Sequence, residues 1–187
     1  MSLESPGGES RDPVTELRAV AHPLRLQILS LLTGAPMTAT EVAQELGTTH
    51  ANASYHLRKL LALPAVVVES EGGPGRGGRK RYRYDVERAA ARPAATARPV
   101  DAQRGLLLAM AEELSRRAGL LSADGGPGDQ TDAELWVTPD DWEAVVSTVR
   151  DATLALHRAA KPPRAPGTIR VNATIALFRM QQPEAGL

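Results

Sequence analysis

The chain has 187 residues, of which 42% are hydrophobic and 24% are charged, so it can bury one larger core or two small ones. It contains no cysteine, which excludes disulfide bonds, thiolate catalysis and cysteine-bound metals. Its apolar runs are too short to cross a bilayer and no export signal is visible, so we expect a cytoplasmic protein without a membrane partner.

Charge is unevenly distributed along the chain, although 22 basic and 22 acidic residues cancel overall. Between residues 50 and 92, nine lysines and arginines stand beside four acids. Between residues 122 and 151, eight acids stand beside a single arginine. This asymmetry predicts two modules with different partners.

The N-terminal part is predicted to be helical after a disordered start. Residues 1–12 are polar and rich in glycine, which predicts disorder. From Leu17 to Leu32, apolar residues recur every three or four positions, as on one face of a helix. Pro23 interrupts this pattern, so we expect one short helix before it and a second helix that begins there.

Two further helices are predicted to meet across a tight turn. Thr38 and Glu41 have the spacing of a capping box, which starts a short helix. Gly47 ends that helix, and Thr49 is the predicted N-cap of the next one, at residues 50–62. The sequence therefore predicts a helix-turn-helix.

The predicted helix 50–62 has a buried stripe around Ala53 and Leu57 and a polar outer face. That face offers an amide, a hydroxyl, a phenol and two cations near the helix N-terminus, the groups that read base edges in the major groove and hold phosphates. The alternative is a solvated surface helix without a partner. The outer face comprises Ala51, Asn52, Ser54, Tyr55, Arg58 and Lys59.

A hairpin with a basic, glycine-rich tip is predicted to follow. The segments "AVVVES" and "RKRYRYDV" have the composition and alternation of two strands, and "EGGPGRGG" lies between them. Such a tip can approach phosphates or enter a minor groove, although an Arg-rich loop alone is often merely solvated. Its candidate DNA contacts are Arg76, Arg79, Lys80 and Arg81.

Three segments in register carry a family resemblance: "LRAVAHPLRLQILSLL", "MTATEVAQELGTTHANASYHLRKL" and "GRGGRKRYRYDV". Over residues 14–88 they resemble the winged helix-turn-helix of ArsR-type bacterial transcriptional regulators. The resemblance implies a homodimer that binds a palindromic operator in double-stranded DNA and usually represses. It also implies DNA contacts by Thr49, His50, Asn52, Ser54 and Tyr55 in the recognition helix and by Arg76, Arg79 and Lys80 in the wing.

Two features depart from that family. The chain lacks cysteine and its four histidines are scattered, so we expect neither a metal site nor a cysteine-based metal sensor. Pro64 stands where the family has a different turn, which leaves the placement of the wing open. His56 falls on the inner flank of its helix and is predicted to be a buried scaffold residue. Because no catalytic set of residues occurs, we expect no enzyme activity and no cofactor.

The C-terminal half is predicted to be a separate small α/β module. After a linker at 89–100, residues 101–187 contain two helical patterns and the strand-like segments "ELWV" and "TIRVNATIALF". The segment resembles an extension found in an actinobacterial subgroup of these regulators. We expect it to dimerise, with a seam on the helix 101–121. Three aromatic residues could line an organic-effector pocket, although such residues are more often plain core: Trp136, Trp142 and Phe178.

The expected architecture is therefore α+β, with a winged helix-turn-helix of three to four helices and a hairpin over residues 13–88, followed by the C-terminal module. The expected function is sequence-specific regulation of transcription. The alternative is a protein-interaction or small-molecule-sensing module whose winged helix docks a protein partner. Salt-sensitive retention on DNA would distinguish the two.

Overall fold

The computed structural model describes residues 12–71, 79–91 and 99–181. Three sequence predictions lie wholly or mostly outside these ranges: the disordered N-terminus 1–12 (except Asp12), the hairpin tip with Arg76, and the central part of the linker 89–100. The elements in chain order are α1 (Pro13–Val20), α2 (Pro23–Gly34), α3 (Ala39–Leu46), α4 (His50–Leu60), β1 (Val66–Glu71), β2 (Arg79–Tyr84), α5 (Val86–Ala90), α6 (Val100–Ala118) and α7 (Pro139–Ala159).

Side-chain caps explain where the first helices begin. The imidazole Nδ1 of His22 accepts a hydrogen bond from the backbone N–H of Leu24 at 3.1 Å, at the start of α2. Thr38 and Glu41 form the predicted capping box, with bonds of 3.2 and 2.7 Å. These bonds satisfy N–H groups that have no partner inside their helices, so the local sequence is enough to set both starts.

The core lies between α2, α3 and α4, and the hairpin closes one side of it. Ile28, Leu32, Val42, Leu57 and Leu60 are fully buried there. The apolar periodicity of the sequence predicted this packing, because each helix buries the stripe that recurs every three or four residues.

The hairpin is a two-stranded antiparallel sheet in which Val66 pairs with Tyr84 and Glu71 pairs with Arg79. Met37 adds a short bridge to it by exchanging hydrogen bonds of 2.9 and 2.8 Å with the backbone of Tyr82. The N-terminal part therefore has the predicted α+β architecture of a winged helix-turn-helix, with the wing tied to the loop before α3.

The connection from α4 to the wing is short. Helix α4 ends at Leu60, two residues before the predicted end, and hydrogen-bonded turns lead through Leu63 to Val66. The carbonyl of Pro64 accepts a bond of 3.3 Å from Arg88 in α5. Pro64 thus occupies a braced turn directly before β1.

Helix α6 packs on α1 and α2 through contacts that the sequence did not predict. Glu113 is only 2% exposed and accepts a hydrogen bond from Gln27 of α2 at 2.5 Å. Nitrogen atoms of the Arg116 and Arg117 guanidinium groups lie 2.9 and 3.3 Å from Oε2 of the same carboxylate. Burial raises the pKa of Glu113, but the bonds from Arg116 and Gln27 and the two arginine charges outweigh it, so that pKa is lowered.

Helix α7 lies against α5. Arg150 donates to the carbonyl of Ala90 at 2.8 Å, and Arg158 pairs with Glu87 at 2.7 Å. Among its residues none is buried. In the part of the chain that the structure describes, no helix is long and apolar enough to span a membrane.

The strands predicted at 134–137 and 168–178 are wrong for a single copy of the chain. Both segments are described, and neither makes a β-ladder. Alternation gives each segment an apolar face, but a strand also needs a hydrogen-bonded neighbour, and neither finds one among the described residues. The α/β module expected from these strands is therefore not formed by one copy.

Candidate nucleic-acid interface

The turn between α3 and α4 sets the angle of the second helix. Gly47 has φ 61°, the left-handed conformation that favours glycine, and the N–H of Thr48 returns to the carbonyl of Ala43 at 3.0 Å. Two residues later, the hydroxyl of Thr49 accepts from the N–H of Asn52 at 3.2 Å and starts α4. The predicted helix-turn-helix therefore forms with the predicted glycine and cap.

Helix α4 has one buried and one open face. Ala53, His56, Leu57 and Leu60 are buried against the core. Asn52 and Ser54 are half-buried at the boundary. The exposed positions at the start and along the outer face are Thr49, His50, Ala51, Tyr55, Arg58 and Lys59.

The outer face holds an aromatic and cationic pair. Tyr55 is 48% exposed, and the ammonium of Lys59 lies 5.6 Å from the centre of its ring, within the range of a cation–π contact. The ring of Tyr55 also stands edge-on to the ring of His56, at 5.1 Å between centroids. Tyr55 is thus held in place from two sides while its outer edge stays accessible.

Asn52 has a structural contact that sequence reasoning missed. Its side-chain amide donates to the hydroxyl of Thr48 at 2.9 Å and so braces the turn before α4. The spacing of four residues across a helix start could have signalled this bond.

The arginines and lysines of the wing fall into two groups. Arg79 and Lys80 are exposed at the tip end of β2. Arg81 instead donates to the carbonyl of Pro36 at 2.8 Å and pairs with Glu41 at 3.3 Å. Arg81 thus ties the wing to the α3 cap, through partners 45 and 40 residues away that spacing alone does not reveal, and its DNA contact stays a prediction. Arg76 lies outside the described residues.

His56, on the buried face of α4, lies close to His22 and Arg25. The ring centroids of His22 and His56 are 4.7 Å apart, and His56 Nδ1 is buried without a hydrogen-bond partner among the described residues. Burial lowers the pKa of His56, and the charges of His22 and Arg25 lower it further. Burial and the charge of Arg25 also lower the pKa of His22. The neutral forms of both imidazoles are therefore favoured in the folded chain.

A family comparison decides the identity of this region. Residues 20–69, from the end of α1 to β1, match the model of a helix-turn-helix domain family. Residues 20–69 therefore carry a helix-turn-helix domain. The match supports a DNA-binding role for this region, as the sequence predicted, and the matched residues span α2, α3, α4 and the turn between α3 and α4.

Among solved structures, the chain aligns with a domain from Mycobacterium bovis. That structure is the homodimeric winged helix-turn-helix DNA-binding domain (fragment 1–100) of "a possible ArsR-family transcriptional regulator". The two are 24% identical with a TM-score of 0.35, and the alignment covers 63% of this chain and 92% of the other. Comparison with the curated proteins gave no match.

Other candidate sites are shallow. Open clefts of about 280 and 230 Å³ lie at the C-terminal end of α2, and the larger one reaches β2, α5 and α7. Trp136, Trp142 and Phe178 line neither cleft, and Trp136 and Phe178 are 78% and 43% exposed. Within residues 12–71, 79–91 and 99–181, no group of three His, Asp or Glu residues could hold a metal ion.

Proposed function

We propose that this regulator is a homodimeric, sequence-specific repressor that binds a near-palindromic operator through α4 and the wing. The observation that carries the proposal is the division of α4, which packs one face on the core and leaves the opposite face to solvent. A helix held this way by a tight glycine turn fits the major groove. In a two-fold dimer, two such helices would enter successive major grooves about one turn apart.

The contacts divide by the chemistry of the side chains. Thr49, His50, Ser54 and Tyr55 would read base edges, because they bring hydroxyls, an imidazole and a phenol to the start of α4. The cations would hold phosphates, since charge attraction is independent of sequence. They are Arg58, Lys59, Arg79, Lys80 and, in the hairpin tip, Arg76. Asn52 and Arg81 would act by positioning the turn and the wing.

The dimer would use α6. One side of this helix is fixed on α1 and α2, whereas Leu108 and Leu114 on its outer side are 66% and 47% exposed. Apolar residues on an unpaired helix side favour helix–helix contact with a second copy. We propose the division into a DNA-binding part at 13–88, a linker at 89–100 and a dimerising part at 101–187.

Regulation would come through a signal other than a cysteine-bound metal, because the chain has no cysteine. An organic effector bound by the C-terminal part is our proposal. Since Trp136 and Phe178 are exposed in a single copy, a pocket formed by them and Trp142 would need a second copy to close it. We propose no catalytic activity.

Selection from a pool of random DNA duplexes tests the proposal even though the operator sequence is not known in advance. The full chain should enrich a sequence with two inverted half-sites about one helical turn apart, and footprinting should protect both. A variant that carries Ser54→Ala and Tyr55→Ala should fold but enrich no sequence. If the unmodified chain enriches nothing and shows no salt-sensitive retention on DNA, the winged helix would instead dock a protein, and the proposal fails.

A further inference from the structure

Helix α7 and the segments on either side of it share an unpartnered apolar surface. The 21 residues of α7 include none that is buried, although Trp142, Val145, Val149 and Leu156 recur at helical spacing. Val145 and Leu156 are 49% and 41% exposed. A helix of this length normally buries its apolar stripe. Trp142 and Val149 are half-buried, so the described part of a single chain covers this stripe only in part and leaves Val145 and Leu156 open.

The two flanking segments have the pattern of strands that lack a partner. From Ile169 to Leu177, apolar residues alternate, and Ile169 and Val171 are 85% and 60% exposed. Leu135 and Trp136, before α7, are 74% and 78% exposed. The large apolar side chains of both segments together expose on the order of 1,000 Å², about what one partner brings to a stable interface.

The segment after α7 is held on its own copy at several points. Arg164 bonds to Glu45 of α3 at 2.5 Å, and Arg117 of α6 donates to Asn172 at 2.9 Å. Near Lys161 the chain crosses α2 so closely that a Cβ on Gly34 would collide with the Lys161 carbonyl oxygen. These contacts fix the path of the segment and leave the apolar side chains after residue 168 open.

The charges of the two segments are complementary. Residues 132–137 carry Asp132 and Glu134 and no base, whereas residues 168–179 carry Arg170 and Arg179 and no acid. Asp132, Glu134 and Arg170 are exposed. Opposite charges on neighbouring strands stabilise their pairing, and like charges oppose it. Each segment therefore disfavours pairing with another copy of itself and favours the other segment.

We propose that residues 132–137 of one copy pair as a β-strand with residues 168–179 of a second copy. Two-fold symmetry makes this contact twice, and the apolar stripes of the two α7 helices cover the resulting sheet. We assign the partner as a second copy because both complementary segments belong to this sequence. Their exposed apolar area also matches the area that each partner buries in a stable dimer. This inference rests on the proposed homodimer and adds to its α6 contact a second surface, in which the predicted α/β module forms from two chains.

Charge reversal tests the pairing in full-length protein. An acidic variant carries Arg170→Glu and Arg179→Glu, and a basic variant carries Asp132→Lys and Glu134→Lys. Controls with charge changes of the same sign at exposed sites nearby are Lys161→Glu and Asp124→Lys. Sedimentation equilibrium gives the dimer dissociation constant of each protein alone and of the acidic and basic variants mixed at equal concentration.

The acidic variant and the basic variant should each dimerise alone at least about tenfold more weakly than the matching control, because both pairing segments then carry charges of the same sign. The dimer dissociation constant of the mixture should return to within about threefold of the value for the unmodified chain, since opposite charges meet again in the mixed dimer. Thermal unfolding followed by helix content shows whether each variant is folded. If one is not, the single changes Arg170→Gln and Glu134→Gln take its place and should weaken dimerisation by a smaller factor.

Three outcomes would overturn the inference: an unmodified chain that stays monomeric, variants that dimerise like their controls, or folded variants that the mixture does not rescue. The readout contains no DNA, so it is separate from the proposed function. A dimer that behaves as expected but shows no sequence preference on DNA would contradict the proposed repressor function and leave the strand pairing supported. Preferred DNA binding by a dimer insensitive to these charges would defeat only the strand pairing.

Discussion

Gly47 is the residue on which the turn before the recognition helix depends. Its φ of 61° is left-handed, and a Cβ built there meets no atom within 4 Å. An alanine would therefore fit the space but strain the backbone. The importance of this glycine lies in its conformation and not in close packing.

We predict that Gly47→Ala lowers the free energy of unfolding by about 1 kcal/mol. Gly105→Ala is the matched control, because Gly105 lies within α6 and its Cβ would make only an ordinary 3.7 Å contact with Ala21. That control should raise the free energy of unfolding by about 0.5 kcal/mol. Urea unfolding measures both, and changes of the same sign would contradict this explanation.

The neighbouring histidines His22 and His56 make stability depend on pH. The folded pKa values of His22 and His56 lie below the ordinary value of 6.5. As the pH falls through 6.5, the unfolded chain therefore binds more protons than the folded chain, and the free energy of unfolding decreases. Stability from these groups is fully present above that pH and decreases below it.

We predict that the unfolding free energy falls less between about pH 7 and pH 5 in His56→Leu than in the unmodified chain, because one of these groups is gone. Ala51→Leu, on the exposed side of the same helix, is the control and should run parallel to the unmodified chain, because it changes no titratable group. Urea unfolding at several pH values gives the comparison. Parallel curves for His56→Leu would show that His56 does not take part.

At the scale of the element, α6 is held on the DNA-binding part by one buried carboxylate. Gln27, Arg116 and Arg117 surround Glu113, so the removal of Glu113 leaves two positive charges and an amide without their shared acceptor. Both arginines keep some contact with solvent, which limits the loss.

We predict that Glu113→Ala lowers the free energy of unfolding by about 2 kcal/mol, the range for hydrogen bonds to a charged group. Glu112→Ala is the control, since the neighbouring Glu112 is exposed and should change stability by less than about 0.5 kcal/mol. Because the pKa of Glu113 is lowered, its contribution is present above pH 4.5 and decreases below it. Equal effects of the two substitutions would contradict the assignment.

The elements differ in how far the sequence predicts them. Helices α2, α3 and α4 were predicted because caps, glycine stops and apolar spacing act within a few residues. Segments 134–137 and 168–178 were predicted as strands from the same kind of pattern, yet no strand neighbour exists for them in one described copy. Alternation of apolar residues shows that one face of a segment is suited to burial, but it does not show which chain buries that face.

The candidate site shows the same limit. Exposure of Tyr55, Arg58 and Lys59 follows from the helical period and agrees with the prediction from sequence. The bonds of Asn52 and the distant partners of Arg81 depend on the arrangement of the turn and the wing. The burial of Glu113 likewise depends on how α6 meets α2, and no local pattern marked it.

At the scale of the whole molecule, charge and fold act together. The basic stretch between residues 50 and 92 belongs to α4 and the wing, while the acidic stretch surrounds the start of α7. The acids would repel phosphate and so reduce binding to DNA outside the operator. A neutral chain can in this way combine a local DNA-binding surface with a body that avoids DNA.

The decisive experiment on the proposed repressor separates base reading from phosphate holding. Fluorescence anisotropy would follow the binding of the full chain to its selected operator and to a scrambled duplex across a series of salt concentrations. The unmodified chain should prefer the operator by on the order of a thousandfold, with affinity that falls steeply with salt.

In the same measurement, Tyr55→Ala should lose most of that preference, whereas Lys80→Ala should weaken both duplexes alike and reduce the salt slope by about one. Lys161→Glu, outside the proposed interface, should retain the full preference. If Tyr55→Ala and Lys80→Ala instead reduce binding to both duplexes by the same factor, α4 does not read the sequence and the proposed mode of DNA recognition is wrong.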